Sequence, residues 1–212
     1  MLEENSGNGR GLAVARRTYP CCLMHGDIQR ILVDEAKIAA RVAELGSQIS
    51  RELEADVART GAGINDIVLI PIMTGGIVFV ADLMRQMALK LSLRVVTVSS
   101  YPGISTESKG AKIRGELPMD LKGKHVLVID DILDSGQTLA VIKDALSEQE
   151  PASLRMCVLL RKPAWRRKAE IETEYVGFDI PDEFVVGYGL EYDGYYRNYP
   201  AIAVLKQEAV GQ

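Results

Sequence analysis

Little in this chain suits a metal cage, a secretory route or a bilayer. Its three cysteines, Cys21, Cys22 and Cys157, form no CxxC pair and have only His25 and His125 beside them, a poor set for zinc. That usage fits a reducing, cytoplasmic setting, and Cys157, inside an apolar run, reads as a packed small hydrophobe rather than a nucleophile. No apolar stretch approaches the roughly 18 residues that span a bilayer, and the chain opens on Glu3 and Glu4 instead of a basic stretch followed by an apolar one. Neither secretion nor a membrane partner is expected. Positive charge is not in excess: 25 Lys plus Arg face 29 Asp plus Glu, for a net charge of -4. No global field advertises a nucleic-acid partner, so the expected ligand is small. No strand-like run is followed by GxGxxG and GxxxxGK[ST] is absent, which removes the dinucleotide fingerprint and the nucleotide P-loop. There is no internal repeat.

What is there is a chain of 212 residues, 47% hydrophobic, enough for one sizeable core. Residues 1 to 20 are rich in Gly, Asn and Arg without periodicity and read as a disordered tail, with a targeting peptide as the lesser alternative. Residues 21–212 read as a single domain. From Glu35, apolar residues at Ile38, Val42, Leu45, Ile49, Leu53 and Val57 draw one stripe along a helix that Gly61 and Gly63 end. Short apolar runs at Ile67–Ile72, Leu93–Val98, His125–Ile129 and Leu154–Leu160 then alternate with helical patterns over Ile77–Leu91 and about Thr138–Gln149. Runs that are apolar throughout belong to strands buried on both faces. With helices between them, they predict an α/β fold: a twisted parallel sheet flanked by helices, core about 35–160, with ligands at the carboxyl ends of its strands. The segment 161–205, rich in Tyr and Gly, breaks the alternation and predicts a small hood lobe over the sheet edge. Ser99 to Lys122 is long and poor in apolar residues, and fits a closing flap or a passive surface loop.

The chemistry concentrates in Val126-Leu127-Val128-Ile129-Asp130-Asp131-Ile132-Leu133-Asp134-Ser135-Gly136-Gln137-Thr138. An apolar strand delivers two adjacent carboxylates at its carboxyl end, and a short turn of small and hydroxyl residues opens into a helix. Free amides at the helix start, with the Ser135 and Thr138 hydroxyls, can surround a phosphate monoester. Asp130 and Asp131 would repel that phosphate, yet carboxylates accept well from a vicinal diol, which a ribose carries several ångströms from its 5′-phosphate. The same acids can hold magnesium. Taken alone, the pair also fits ordinary turn and capping chemistry.

This stretch resembles the phosphoribosyl-pyrophosphate motif of the type I phosphoribosyltransferases: four apolar residues, two acids, two apolar residues, then Asp-Ser-Gly-Gln-Thr. The resemblance implies that Asp130 and Asp131 bind the ribose hydroxyls, that Asp134, Ser135, Gly136, Gln137 and Thr138 bind the 5′-phosphate, and that Asp134 is also the general base toward purine N7. From about Asp27 to Leu205 the chain is similar to the hypoxanthine-guanine phosphoribosyltransferases, which join a 6-oxopurine to the ribosyl phosphate with release of pyrophosphate. Leu159-Leu160-Arg161-Lys162-Pro163 resembles the segment whose lysine donates to the purine 6-oxo group, implicating Lys162. The stretch from Phe178 to Leu190 resembles the base-binding lobe, with Phe184 stacked on the purine, the Val185 backbone reading its edge and Glu191 close by. Met73-Thr74-Gly75-Gly76 resembles the pyrophosphate loop, which often holds a cis non-proline peptide. Thr74, Gly75 and Arg197 would clamp the pyrophosphate, and Ser100-Tyr101 belong to the family's flap. The resemblance implies Mg2+ as cofactor, on Asp130, Asp131 and Glu191, and a homodimer or homotetramer. Two positions depart from the family: Thr74 stands where relatives often carry Lys, and Glu191 where they carry Asp, which leaves Asp193 as another metal ligand. A regulator that binds RNA on the same scaffold and an enzyme for xanthine or adenine are the competing readings.

Overall fold

The computed structural model describes residues 26–61, 66–99, 112–114 and 117–210. The chain begins with strand β1 (Ile28–Val33) and helix α1 (Glu35–Thr60). The α1 stripe is buried at Ile38, Val42, Leu45, Ile49 and Leu53, while Val57 is only partly so. Asp34 caps the helix by accepting from the Lys37 amide at 2.9 Å, and Gly61 closes it with φ 69°, a left-handed angle that glycine adopts without a Cβ clash.

Next come β2 (Ile67–Met73), α2 (Ile77–Arg85), β3 (Ser92–Leu93), β4 (Val96–Ser99), β5 (Lys112–Arg114), β6 (His125–Leu133), α3 (Gln137–Ser147) and β7 (Ser153–Arg161). Strands β8 (Tyr175–Asp179), β9 (Val185–Val186) and β10 (Ile202–Leu205) complete the chain, with single 3-10 turns at Ala164–Arg166 and Gln207–Ala209. The main sheet runs β5-β4-β2-β6-β7-β8, with β3 also on β2. All its pairings are parallel except that of β4 with β5. Alternation along the central strands explains their unbroken apolar character. Leu127 and Ile129 join the core under α1 and α2, while Val126 and Val128 join the one under α3. A second sheet, β1-β10-β9, is antiparallel and forms the hood from both ends of the described chain.

Four boundaries differ from the sequence expectation. Helix α2 stops at Arg85, yet Met87 is buried and Leu89 and Leu91 pack on the core as irregular chain, so their spacing signalled burial rather than helix. The Leu93–Val98 run splits at Arg94-Val95, where the Arg94 side chain turns out to the Met119 carbonyl. Strand β6 does not end before the acid pair; it continues through Asp130 and Asp131 to Leu133, whose partner on β7 is Arg161. The hood does not begin at 161, because Tyr175–Asp179 is an edge strand of the main sheet. The proposed tail, residues 1–20, lies outside the described residues.

Candidate active site

The carboxyl ends of β2, β6 and β7 open into one cleft beneath the hood. Its larger part, about 640 Å³, is lined by Thr74, Gly75, Asp131, Asp134, Lys162, Phe184, Val185, Glu191 and Arg197 among others. A smaller part, about 310 Å³, is lined by Asp130, Asp131, Asp134, Ser135, Gly136 and Thr138. Residues from four separate segments of sequence therefore meet in two adjoining chambers that share Asp131 and Asp134.

The smaller chamber is built by the turn between β6 and α3. Gly136 has φ 78°, and a Cβ there would lie 2.8 Å from the Ala169 carbonyl, so only glycine suits both the angle and the approach. Gly136, the residue that precedes α3, has no side chain to cap it, and the Ser135 hydroxyl accepts only a long bond of 3.5 Å from the Gln137 amide. The first-turn amides of α3, which have no partner inside the helix, sit at the wall of the chamber alongside Thr138. The turn is held from outside by the Lys168 and Ala169 amides, which donate to the Ser135 carbonyl at 2.9 and 3.3 Å.

Asp130 and Asp131 stand where the two chambers join. Asp130 is buried, and desolvation together with the neighbouring Asp131 carboxylate pushes its pKa well above the usual carboxylate range. Burial raises Asp131 too, opposed by hydrogen bonding to the Asp130 side chain and to main-chain amides and, least, by the Arg197 guanidinium. The loop after β2, which contains the cis Met73–Thr74 peptide, lies against the pair: a Cβ on Gly75 would meet the Asp131 carboxylate, and one on Gly76 would lie 3.9 Å from Asp130 Cα.

Lys162 follows β7 and is fixed by its amide, which donates to the Leu133 carbonyl at 3.0 Å. Its side chain is 10% exposed, and its ammonium is 3.2 Å from Asp182 and 3.7 Å from Asp134. Phe184 is exposed above the cleft, its ring edge-on to Tyr192 at 5.6 Å between centroids. Val185 is buried on β9. Arg197 donates to the Gly189 carbonyl at 2.6 Å and pairs with Glu191 at 2.9 Å. The other Glu191 oxygen accepts from the Gly194 amide, so this carboxylate is folded back on the hood.

The structure thus brings together Thr74, Gly75, Asp130, Asp131, Asp134, Ser135, Gly136, Thr138, Lys162, Phe184, Val185, Glu191 and Arg197. Gln137 opens α3 beside them. Asp193 is exposed, with φ 49°. Ser100 and Tyr101 lie outside the described residues. Two residues went unassigned in the sequence. Arg166 lays its guanidinium along Asp134, with contacts of 3.0 and 3.2 Å, and Asp182 faces both cations. Arg166 is 32 residues from Asp134 and sits in a basic run, so no local signal marked it.

The model of the phosphoribosyl transferase domain matches residues 33–193. The chain belongs to the phosphoribosyltransferase family, and its mostly parallel sheet with flanking helices is the type I fold of that family. It is 44% identical over 187 residues to the hypoxanthine-guanine phosphoribosyltransferase of Mycobacterium avium, covering 88% of this chain and 90% of that protein. It is 41% identical over 172 residues to the hypoxanthine phosphoribosyltransferase of Escherichia coli K12, covering 81% and 92%. A solved hypoxanthine phosphoribosyltransferase from Staphylococcus aureus superposes with a TM-score of 0.81 at 39% identity, over 92% of this chain and all of that one. Within the family the chain belongs with the hypoxanthine-guanine phosphoribosyltransferases.

Proposed function

We propose that the protein transfers the 5-phosphoribosyl group of phosphoribosyl pyrophosphate to N9 of hypoxanthine or guanine, giving the nucleoside monophosphate and pyrophosphate, a step of purine salvage. One observation supports this above the others. A chamber of about 310 Å³ at the start of α3 adjoins, through the Asp130-Asp131 pair, a larger chamber bearing Lys162 and Phe184. That is the layout a ribosyl phosphate joined to a planar base requires.

In this reading the α3 amides with Ser135 and Thr138 take the 5′-phosphate, and Asp130 and Asp131 accept from the ribose hydroxyls. Phe184 stacks on the purine, a contact worth about 1–3 kcal/mol. Lys162 donates to the 6-oxo group; an ammonium can only donate, so it opposes the amino group of adenine. Asp134 takes the N7 proton as N9 bonds to C1′, and the C1′–oxygen bond breaks with its electron pair leaving on pyrophosphate. Thr74 and Gly75, through main-chain amides, and Arg197, through its guanidinium, hold the departing group.

Among the described residues no group of three or more His, Cys, Asp or Glu is arranged as a metal cage. The adjacent carboxylates of Asp130 and Asp131 suit a hard divalent cation that keeps waters and takes further oxygens from substrate, and magnesium is the cation we assign there. Glu191 would join only by releasing Arg197 or Gly194. When bound, the cation neutralises charge on the pyrophosphate.

The test is an ultraviolet assay of hypoxanthine, guanine, xanthine and adenine with phosphoribosyl pyrophosphate, with and without magnesium. Magnesium-dependent turnover of hypoxanthine or guanine with none of adenine is the expected result. Preference for adenine would remove Lys162 from its role, and no turnover of any base would overturn the proposal.

A further inference from the structure

The Arg166 guanidinium touches the one group that must receive a proton. It ends the single turn Ala164–Arg166 and sets Nε 3.0 Å from Oδ1 and Nη2 3.2 Å from Oδ2 of Asp134. Such a fork neutralises the carboxylate and takes a lone pair on each oxygen. A proton arriving from a purine must then displace a charge-assisted donor or settle on an acid that is already paired. A second acceptor is at hand: Arg166 Nε is 3.3 Å from Oδ1 of Asp182. The guanidinium can exchange one carboxylate for the other by turning, with no main-chain displacement.

We propose that Arg166 is a positioning residue that gates Asp134, closing its fork on the carboxylate in the base-free site and turning onto Asp182 when a purine arrives. This rests on the reading that Asp134 takes the purine proton. The ion network suits such an exchange. Lys162 lies between the same two acids, 3.7 Å from Asp134 and 3.2 Å from Asp182, so two cations face two carboxylates whichever way Arg166 points. The Arg166 and Asp134 side chains are 39% and 37% exposed, and an ion pair this open to water opens readily. Asp182 lies in the connection from β8 to the hood strand β9 and Asp134 in the turn after β6, so the exchange also ties the approach to the hood to the occupied base site.

Steady-state kinetics of three variants test the gate. Arg166→Gln removes the closed state, so KM for hypoxanthine should fall by about three- to tenfold with kcat within about twofold of the parent. Asp182→Asn strands the released guanidinium, so KM should rise by a similar factor, and in Arg166→Gln/Asp182→Asn that rise should disappear. An unchanged or raised KM in Arg166→Gln overturns the gate. So does an Asp182→Asn effect that persists without Arg166, because Asp182 would then be acting through Lys162. A crystal structure with inosine monophosphate separates the two layers of the argument. Arg166 moved to Asp182 is expected; an active enzyme whose Arg166 still forks Asp134 sinks the gate alone, and a parent without transferase activity sinks the functional reading and the gate together.

Discussion

A methyl group on Gly75 would lie 1.7 Å from Oδ2 of Asp131, so the loop after β2 and the acid pair of β6 are in direct contact. On the other side of that loop, a Cβ on Gly189 of the hood would lie 2.3 Å from the Gly75 carbonyl. Acid pair, loop and hood are stacked with room for nothing larger than glycine at either level.

Gly75→Ala should therefore push Asp131 out of place while leaving the two cores intact. KM for phosphoribosyl pyrophosphate should rise about tenfold or more, with a far smaller change in KM for the base. Steady-state kinetics with each substrate varied in turn checks this. A phosphoribosyl-pyrophosphate KM within about twofold of the parent would show that the carboxylate can yield at no cost.

Asp130 should trade stability for function. Burial and the Asp131 charge raise its folded pKa, so its ionised form costs the empty protein stability. That cost is absent below the unfolded value near 4 and grows as pH rises toward the folded one. Asp130→Asn should raise the melting temperature at pH 7 by several degrees and abolish activity, and calorimetry at pH 7 and pH 5 should find the gain smaller at the lower pH. A variant that melts below the parent at pH 7 would mean that the carboxylate is compensated in the free protein.

His125, at the opposite end of β6, is fully buried, with Thr60 Oγ1 3.1 Å from Nε2 and Ser153 Oγ 2.8 Å from Nδ1. Desolvation holds its pKa below the ordinary histidine value. The stability it contributes is complete above the unfolded pKa near 6.5 and is lost as pH falls through that value toward the folded one. Urea unfolding at pH 7.5 and 5.5 should show the parent losing up to about 1 kcal/mol more than His125→Gln across that interval. Equal losses would indicate that the imidazole charges in place.

Lys162→Gln should lower kcat/KM for hypoxanthine about 10²-fold, because a buried charged donor to the 6-oxo group is replaced by a neutral one. The ratio of hypoxanthine to adenine turnover should contract in parallel. Retention of full discrimination would transfer the choice of base to the hood backbone.

How much of this was legible follows from which signals are local. The central strands are buried on both faces, so each had to be a continuous apolar run, and α1 lays one face on the sheet, so its stripe appears at helical spacing. The turn from Asp134 to Thr138 is contiguous and its residue types state its chemistry. Strand β8 was hidden because Gly177 and Asp179 interrupt it. Gly177 is there because a Cβ would meet the Leu159 carbonyl at 2.4 Å, an approach no sequence pattern displays. The pairing of Arg166 with Asp134 was hidden for a different reason: a cation in a basic run resembles its solvated neighbours until the fold brings an acid from 32 positions away.

The most direct test of the central claim is a crystal structure of the protein with inosine monophosphate. The account predicts the 5′-phosphate on the main-chain amides between Ser135 and Thr138, the ribose hydroxyls on Asp130 and Asp131, and the 6-oxo group within hydrogen-bond reach of Lys162 Nζ. A nucleotide found with its phosphate away from that turn, or with its base outside the chamber of Lys162 and Phe184, would contradict it.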